Sequence, residues 1–315
     1  MAVVISLRYH VVSVAAVFLA LAVGAVLGST ALSGRLLAGL GADRAALGRQ
    51  LADLQAQRNA LGARLTDADR FAATVGPATV RGRLAGRTVV LVSTPNAARS
   101  ARDALVGLLG DAGATVTGEV QLTDAFTDPA RADQLRDLVT RLLPAGVQLP
   151  AATDPGTLAG GLVGALVLLG RDNRPQAAPE EAAAALSGLA SGGFVRQGRW
   201  PAPAQLAVVL TGSGSAGDAA ADRSATLARF AVQLDRMSAG AVLAGASGSA
   251  DGDRPLAVVR ADPAAAAVLS TVDDVDTGAG RVAAVLALRE QVDGRAGRYG
   301  TAGNAQGPAP QPAAG

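Results

Sequence analysis

Cysteine and lysine are absent from the 315 residues, and histidine occurs once, as His10. Without cysteine the chain has no disulfide, no thiolate nucleophile and no sulfur ligand for a metal. Without lysine it has neither a Walker A phosphate loop nor a Schiff-base lysine. A serine–histidine pair would have to use His10, which borders an apolar run and suits a membrane-interface flank. These absences exclude most enzyme classes, and we expect no enzymatic activity, no cofactor and no metal site.

Charge and aromatic side chains are also sparse. The 28 basic residues, all arginine, nearly balance 26 acidic residues, and aromatics make up 3% of the chain. No basic stretch is interleaved with aromatic residues, as a nucleic-acid surface would require. The composition therefore predicts no nucleic-acid partner.

One long hydrophobic run is present. After a short flank, residues 1–10, residues 11–32 are apolar and uncharged. About 20 helical residues cross a bilayer core of about 30 Å, whereas a cleavable signal peptide has an apolar core of about 7–15 residues. The run therefore predicts an uncleaved, single-pass membrane anchor.

Two glycines in this run have the spacing of a helix-association motif. Gly24 and Gly28 form a GxxxG pair, which lets two helices approach closely in lipid. The alternative is coincidence in a chain with 39 glycines. The flanking arginines weakly favour a cytoplasmic C-terminus, but long domains translocate largely regardless of charge. We expect the C-terminal domain to lie outside the cytoplasm, in the cell envelope.

Leucines recur at heptad spacing through residues 33–76, which predicts a coiled-coil stalk. The leucines on which this prediction depends are Leu40, Leu47, Leu51, Leu54 and Leu61. Gly76 and Pro77 are predicted to end the stalk. The alternative is one amphipathic helix that packs on its own domain. A coiled coil, together with the GxxxG pair, predicts a homo-oligomer.

Short β-branched runs alternate with helical patterns over residues 77–293. This alternation predicts an α/β domain with a mostly parallel sheet and helices on both faces, of the Rossmann or flavodoxin type. Strands are predicted at 88–93, 115–123, 194–196, 205–211, 240–245, 256–260 and 268–272. Helices are predicted at 97–111, 129–143, 175–193, 218–237 and 278–292, and residues 158–169 form a helix or a strand. Residues 294–315 lack core residues and predict a disordered tail.

Polar side chains are dense on the loop between the last predicted strand and the last helix. This loop contains Asp273, Asp274, Asp276 and Thr277. Carboxylates suit calcium or magnesium, but helix capping, with Thr277 as the N-cap, is the favoured interpretation. Such loops open at the C-terminal edge of a parallel sheet, so we treat this one as a candidate interaction loop.

Residues 212–217 match GxGxxG after a strand and before a helix, which is the setting of a dinucleotide site. The acidic residue about 20 positions later should end a strand, but Asp235 falls within a predicted helix. A flexible connection is therefore the favoured interpretation. Residues 124–129 indicate a helix-start turn, and Ser93 and Thr94 lack the neighbouring base of a hydrolase.

Residues 5–28, which begin Ile-Ser-Leu-Arg-Tyr-His, closely resemble the start of the actinobacterial MctB family, the copper transport outer-membrane proteins. The heptad stalk, the strand at 88–93 and the segments 270–277 and 287–291 are also similar to that family. This resemblance, over nearly the whole chain, implies a role in copper efflux or homeostasis as part of an oligomeric envelope channel. The family name refers to an outer membrane, although a single apolar helix suits the plasma membrane.

The residues themselves do not point to copper binding. Copper(I) prefers sulfur ligands, and the chain has no cysteine and two methionines. One helix cannot enclose a pore unless it oligomerises. The resemblance also implies an alternative, since some relatives look like partners of a neighbouring membrane protein. In that alternative the chain is a scaffold or regulator of envelope assembly and cell division, acting through its coiled coil and α/β domain.

Overall fold

The computed structural model describes residues 7–215 and 217–311, with the backbone alone at residues 7, 29–43 and 45. The chain divides into two compact units, Met1–Asp67 and Ala68–Gly315. Helix α1 (Leu7–Val80) supplies the described part of the first unit, and its last residues belong to the second. The helix continues through Pro77 to Val80, so the predicted end at Gly76–Pro77 is wrong by about one turn. Val80 is fully buried, and this packing holds the last turn in place.

The second unit is the predicted α/β fold, built around a parallel sheet of six strands. The strands are β1 (Thr88–Ser93), β2 (Thr115–Gln121), β3 (Leu206–Thr211), β4 (Ala241–Gly245), β5 (Ser270–Val272) and β6 (Arg298–Tyr299). Their order across the sheet is β2-β1-β3-β4-β5-β6. The first five strands therefore have the flavodoxin-like order, which reverses direction between β1 and β3.

Helices cover both faces of this sheet. They are α2 (Arg99–Asp111), α3 (Ala132–Arg141), α4 (Pro155–Val167), α5 (Pro179–Ser191), α6 (Ala220–Met237), α7 (Pro255–Ala261), α8 (Pro263–Ala266) and α9 (Gly278–Val292), with 3-10 turns at Asp124–Phe126 and Pro129–Arg131. Because side chains alternate along a strand, Val209 packs with α4 and α6, whereas Val208 packs with α2 and α9. Every residue of β3 is buried, as expected for the centre of a covered parallel sheet.

Two predicted strands are wrong. Residues 256–260 belong to helix α7, because Pro255 occupies the first helical turn and Leu256 and Val259 are buried at helical spacing. Residues 194–196 make only an isolated bridge, in which Val195 pairs with Leu122. The ambiguous segment 158–169 lies mostly in helix α4.

The predicted disorder of residues 294–315 is also wrong for the part that the structure describes. Strand β6 extends the sheet beyond β5, and the Tyr299 hydroxyl donates a hydrogen bond to the Glu290 carboxylate. The Asn304 amide donates to the Ala250 carbonyl at 2.9 Å. This segment is held by one aromatic residue and several polar contacts. Such contacts leave no hydrophobic pattern in the sequence, so the order of this segment could not be predicted from one. Residues 312–315 lie outside the described residues.

Candidate functional site

Arg8–Gly28, the beginning of α1, is the one stretch among the described residues that is long and apolar enough to cross a membrane by length and composition. Its mean hydropathy is 2.6, and its side chains are exposed throughout. Nothing lies within 4 Å of where a Cβ would stand at Gly24 or at Gly28. A second apolar helix therefore has room to approach the backbone at this GxxxG pair.

The predicted stalk leucines follow on the same helix. Leu47, Leu51, Leu54 and Leu61 are exposed, with 57–68% of their surface accessible, and the side chain of Leu40 lies outside the described residues. An exposed row of leucines on one helix is costly in water unless a partner covers it. The coiled coil that would cover it stays a prediction.

The candidate interaction loop follows β5, and its first carboxylate is part of the core. Asp273 forms a salt bridge of 2.6 Å with Arg260, and each side chain is 2% exposed. Asp273 also accepts hydrogen bonds from the amides of Thr301 and Ala302, at 2.8 and 3.1 Å. Arg260 in turn donates to the Tyr299 carbonyl at 2.7 Å. This pair ties the C-terminal segment to the sheet, so Asp273 is unavailable to a partner.

The next carboxylate, Asp274, is buried, and its Oδ1 atom has no hydrogen-bond partner in the described structure. Burial, followed by the negative charges of Asp273 and Asp276, raises the pKa of Asp274 to about 6. This carboxyl therefore stays protonated to a higher pH than that of an ordinary aspartate. Burial removes Asp274, like Asp273, from any contact surface.

The last two residues of the loop cap neighbouring elements. Thr277 is the N-cap of α9, as predicted, and its hydroxyl accepts from the Gly280 amide at 2.9 Å. Asp276 accepts from the amide and the hydroxyl of Ser247, at 2.9 and 3.0 Å. Asp276 is the exposed carboxylate of the three, so the interaction loop stays a prediction that depends on this residue. No cluster of three His, Cys, Asp or Glu side chains suited to a metal occurs in residues 7–215 and 217–311.

The start of α9 also receives the end of α1. The Gly278 amide donates to the Asp69 carboxylate, which complements the positive end of the α9 dipole. A Cβ at Gly278 would stand 2.8 Å from the Ala73 nitrogen, so only glycine allows this approach. No local sequence pattern predicts this contact, because the two residues lie 209 positions apart.

A crevice of about 380 Å³ opens where β1 and β3 end. Thr211, at the end of β3, and residues from the loops after β1 and β2 line it, including Thr94, Asn96 and Thr123. Asn96 connects these loops: its Oδ1 atom accepts from the Thr94 hydroxyl at 2.5 Å and from the Gly212 amide at 3.2 Å. The first amide of the GxGxxG segment is thus already bonded within the protein. Ala216 of that segment lies outside the described residues.

Helix α6 contributes Leu227 and two polar residues, Arg223 and Ser224, to this crevice, and the sequence did not predict either polar residue as part of a site. Arg223 donates to the Asp124 carbonyl at 3.2 Å and contacts the Asp128 carboxylate at 3.4 Å. Ser224 is buried beside it. In the sequence, these two residues are a polar pair near the start of a helix that follows a strand. That pattern alone does not predict a site, because only the strand order shows that the start of α6 faces the loops after β1 and β2. Asp235, farther along α6, accepts from the Ala241 amide at 2.8 Å and is remote from this crevice.

Comparison with known proteins gives matches over almost the full length. The family model described as copper transport outer membrane protein, MctB, matches residues 4–310. The chain is 40% identical over 304 residues to the protein named copper transporter MctB of Mycobacterium tuberculosis (strain ATCC 25618 / H37Rv), with 94% of this chain and 96% of the relative covered. It is 41% identical over 305 residues to the protein of the same name from Mycobacterium leprae (strain TN), with the same coverage.

Proposed function

The chain belongs to the MctB family of copper transport outer membrane proteins, and on that premise we propose that it is an envelope-anchored, homo-oligomeric component of copper efflux. The observation that carries this proposal is the family match over residues 4–310, which includes the apolar helix as well as the α/β domain. The relatives' name, copper transporter, supports copper as the cargo. The apolar helix supports attachment to a membrane.

The composition indicates how copper would be handled. Without cysteine, the chain offers no thiolate for tight capture of copper(I), and it has only two methionines. Weak and transient contacts favour passage over storage, because an ion that is held tightly leaves slowly. We therefore propose that the assembly gives copper a path and does not store it.

Such a path requires more than one chain. A single helix has no interior, so it encloses a pore only when several copies associate. Gly24 and Gly28 form one contact face, with open space around both glycines. The exposed leucines Leu47, Leu54 and Leu61 form a second contact face along the same helix. We place the α/β domain outside the cytoplasm, where the assembly would deliver its cargo.

The test uses the full chain in a strain that lacks its own copy. Gly24→Leu/Gly28→Leu fills the open face while keeping the helix apolar, so insertion is preserved. Ala22→Leu, on roughly the opposite side of the helix, is the matched control. We expect the double variant to lose cross-linked oligomers from membranes and to accumulate copper, whereas the control behaves as wild type.

Two results would count against the proposal. Loss of the oligomer with unchanged copper tolerance would separate assembly from copper efflux. Absence of copper flux in liposomes that contain the purified oligomer would remove the channel. A strain without the chain that tolerates copper normally but divides abnormally would favour the scaffold alternative.

A further inference from the structure

The crevice at the ends of β1 and β3 lies at the point where the strand order reverses. In open α/β sheets this position is left uncovered by the helices and is where ligands bind. The volume of about 380 Å³ falls within the range of small-molecule sites, about 300–1,000 Å³. All residues that line it belong to the α/β unit, so the site does not depend on the membrane helix.

Helix α6 brings positive charge to this crevice. Its N-cap, Ala219, makes no side-chain hydrogen bond, so the positive end of an 18-residue helix has no side-chain cap. Arg223 lies in the first turn and lines the crevice. Of the five N–H donors of a guanidinium, the Asp124 carbonyl and the Asp128 carboxylate engage two, at 3.2 and 3.4 Å. Donors are left for an anion.

Ser224 supplies an independent indication that the crevice holds a ligand. Its side chain lines the crevice although the residue is only 3% exposed. No side-chain hydrogen bond of Ser224 is found within residues 7–215 and 217–311, and its oxygen is not one of the fully buried polar atoms that lack a partner. Water in the crevice can therefore reach this hydroxyl. A ligand oxygen would replace that water beside Arg223.

The opposite wall suits a hydroxylated molecule. Thr94, Thr123 and Thr127 line it with hydroxyl groups. The hydroxyls of Thr94 and Thr123 already donate to the Asn96 Oδ1 atom and the Gly193 carbonyl, so they can accept from a ligand hydroxyl. The Asp124 carboxylate stands at the mouth, where it can accept from a ligand hydroxyl and would repel a second negative charge. We propose that this crevice binds a small hydroxylated anion of the size of a sugar phosphate or sugar acid, with its anionic group on Arg223 and Ser224.

Calorimetric titration of the full chain in detergent tests this site with four probes: ribose 5-phosphate, glucuronate, ribose and inorganic phosphate. We expect ribose 5-phosphate or glucuronate to bind about tenfold or more tightly than ribose or phosphate, since each of these offers only part of the recognised chemistry. Equal affinity for phosphate and ribose 5-phosphate would indicate an adventitious ion only. No binding of any probe would overturn the proposal.

Two variants locate the ligand. Ser224→Ala removes one hydroxyl with little change in volume, and we expect about tenfold weaker binding of the preferred probe. Arg223→Gln should weaken binding by at least as much, whereas Arg229→Gln, an exposed arginine of the same helix outside the crevice, should leave it unchanged. Wild-type affinity in Ser224→Ala would place the ligand elsewhere and refute the assignment. This site is independent of copper efflux, so either proposal can fail alone.

Discussion

The buried pair of Arg260 and Asp273 makes a strong prediction about stability. Asp273→Asn keeps the shape of the side chain and one carbonyl oxygen for the amides of Thr301 and Ala302, but it removes the negative charge. The guanidinium of Arg260, 2.6 Å away and 2% exposed, then remains buried without its counter-ion. Burial already lowers the pKa of Arg260 below its ordinary value, against the opposing effect of Asp273. Asp273→Asn removes the negative charge that offsets the cost of burying the Arg260 guanidinium.

The magnitude follows from the burial of both partners. Removal of one member of a buried ion pair costs about 3–5 kcal/mol, because the other charge is left uncompensated. For a unit of this size, each kcal/mol lowers Tm by about 2–4 °C. We therefore expect Asp273→Asn to lower Tm by about 10 °C. Asp253→Asn, at an exposed position, should change stability by less than about 0.5 kcal/mol.

The assay can use the single tryptophan of the chain. Trp200 packs against the core of the α/β unit, so its fluorescence reports unfolding of that unit in the full-length protein. Urea titrations of wild type, Asp273→Asn, Arg260→Met and the double variant complete a double-mutant cycle. The double variant leaves no unpaired buried charge. Its loss of unfolding free energy should therefore be smaller than the sum of the losses in the two single variants by about 2 kcal/mol or more.

Two results would refute this reasoning. A cost of less than about 1 kcal/mol for Asp273→Asn would mean that water reaches Arg260. Strict additivity in the cycle would mean that the two side chains act separately. In that case the hydrogen bonds to Thr301 and Tyr299, rather than the ion pair, would account for the stability.

Three further predictions concern other parts of the α/β unit. The pKa of Asp274 is raised to about 6 in the folded state, so ionisation of this carboxyl opposes folding. Asp274→Asn should therefore be more stable than wild type by about 1–2 kcal/mol at pH 8. The urea midpoints of the variant and of wild type should converge as the pH falls through 6 towards 4. Gly278→Ala should destabilise the protein by about 1–3 kcal/mol because the added methyl group would collide with α1. Gly107→Ala, in open space on α2, should stabilise it by about 0.5–1 kcal/mol. Similar urea midpoints for the two variants would contradict the close approach of α1 to Gly278. Truncation after Gly294 should lower the urea midpoint and speed limited proteolysis, whereas an unchanged digestion pattern would support a disordered tail.

The strongest sequence patterns gave the central strands of the sheet. Residues 88–92 and 206–211, within the strands predicted at 88–93 and 205–211, are continuous β-branched or aliphatic runs, and such runs are typical of strands buried on both faces. The run at 256–260 has the same composition but forms a helix. Pro255 in the first turn and burial at helical spacing decide its structure, and an apolar run this short does not show which period applies.

The site was harder to predict because its parts come from distant positions. The sequence predicts Asp273 on an interaction loop because it lies between a strand and a helix, and no local pattern indicates its burial against Arg260, 13 positions earlier. The crevice joins Thr94, Asn96 and Thr211, which lie up to 117 positions apart, with Arg223 and Ser224. Their proximity follows from the strand order, with β3 beside β1, and local patterns do not determine that order.

The position of β6, after the other five strands in sequence, has a consequence for the timing of folding. The contacts of Arg260 with Tyr299 and Asn304 span 39 and 44 positions, so they form only after residues 299 and 304 have left the ribosome. Long-range pairing of this kind is slow, since the intervening chain must first be closed into a loop. Until then the sheet lacks β6, and Arg260 lacks two of its four hydrogen-bond partners.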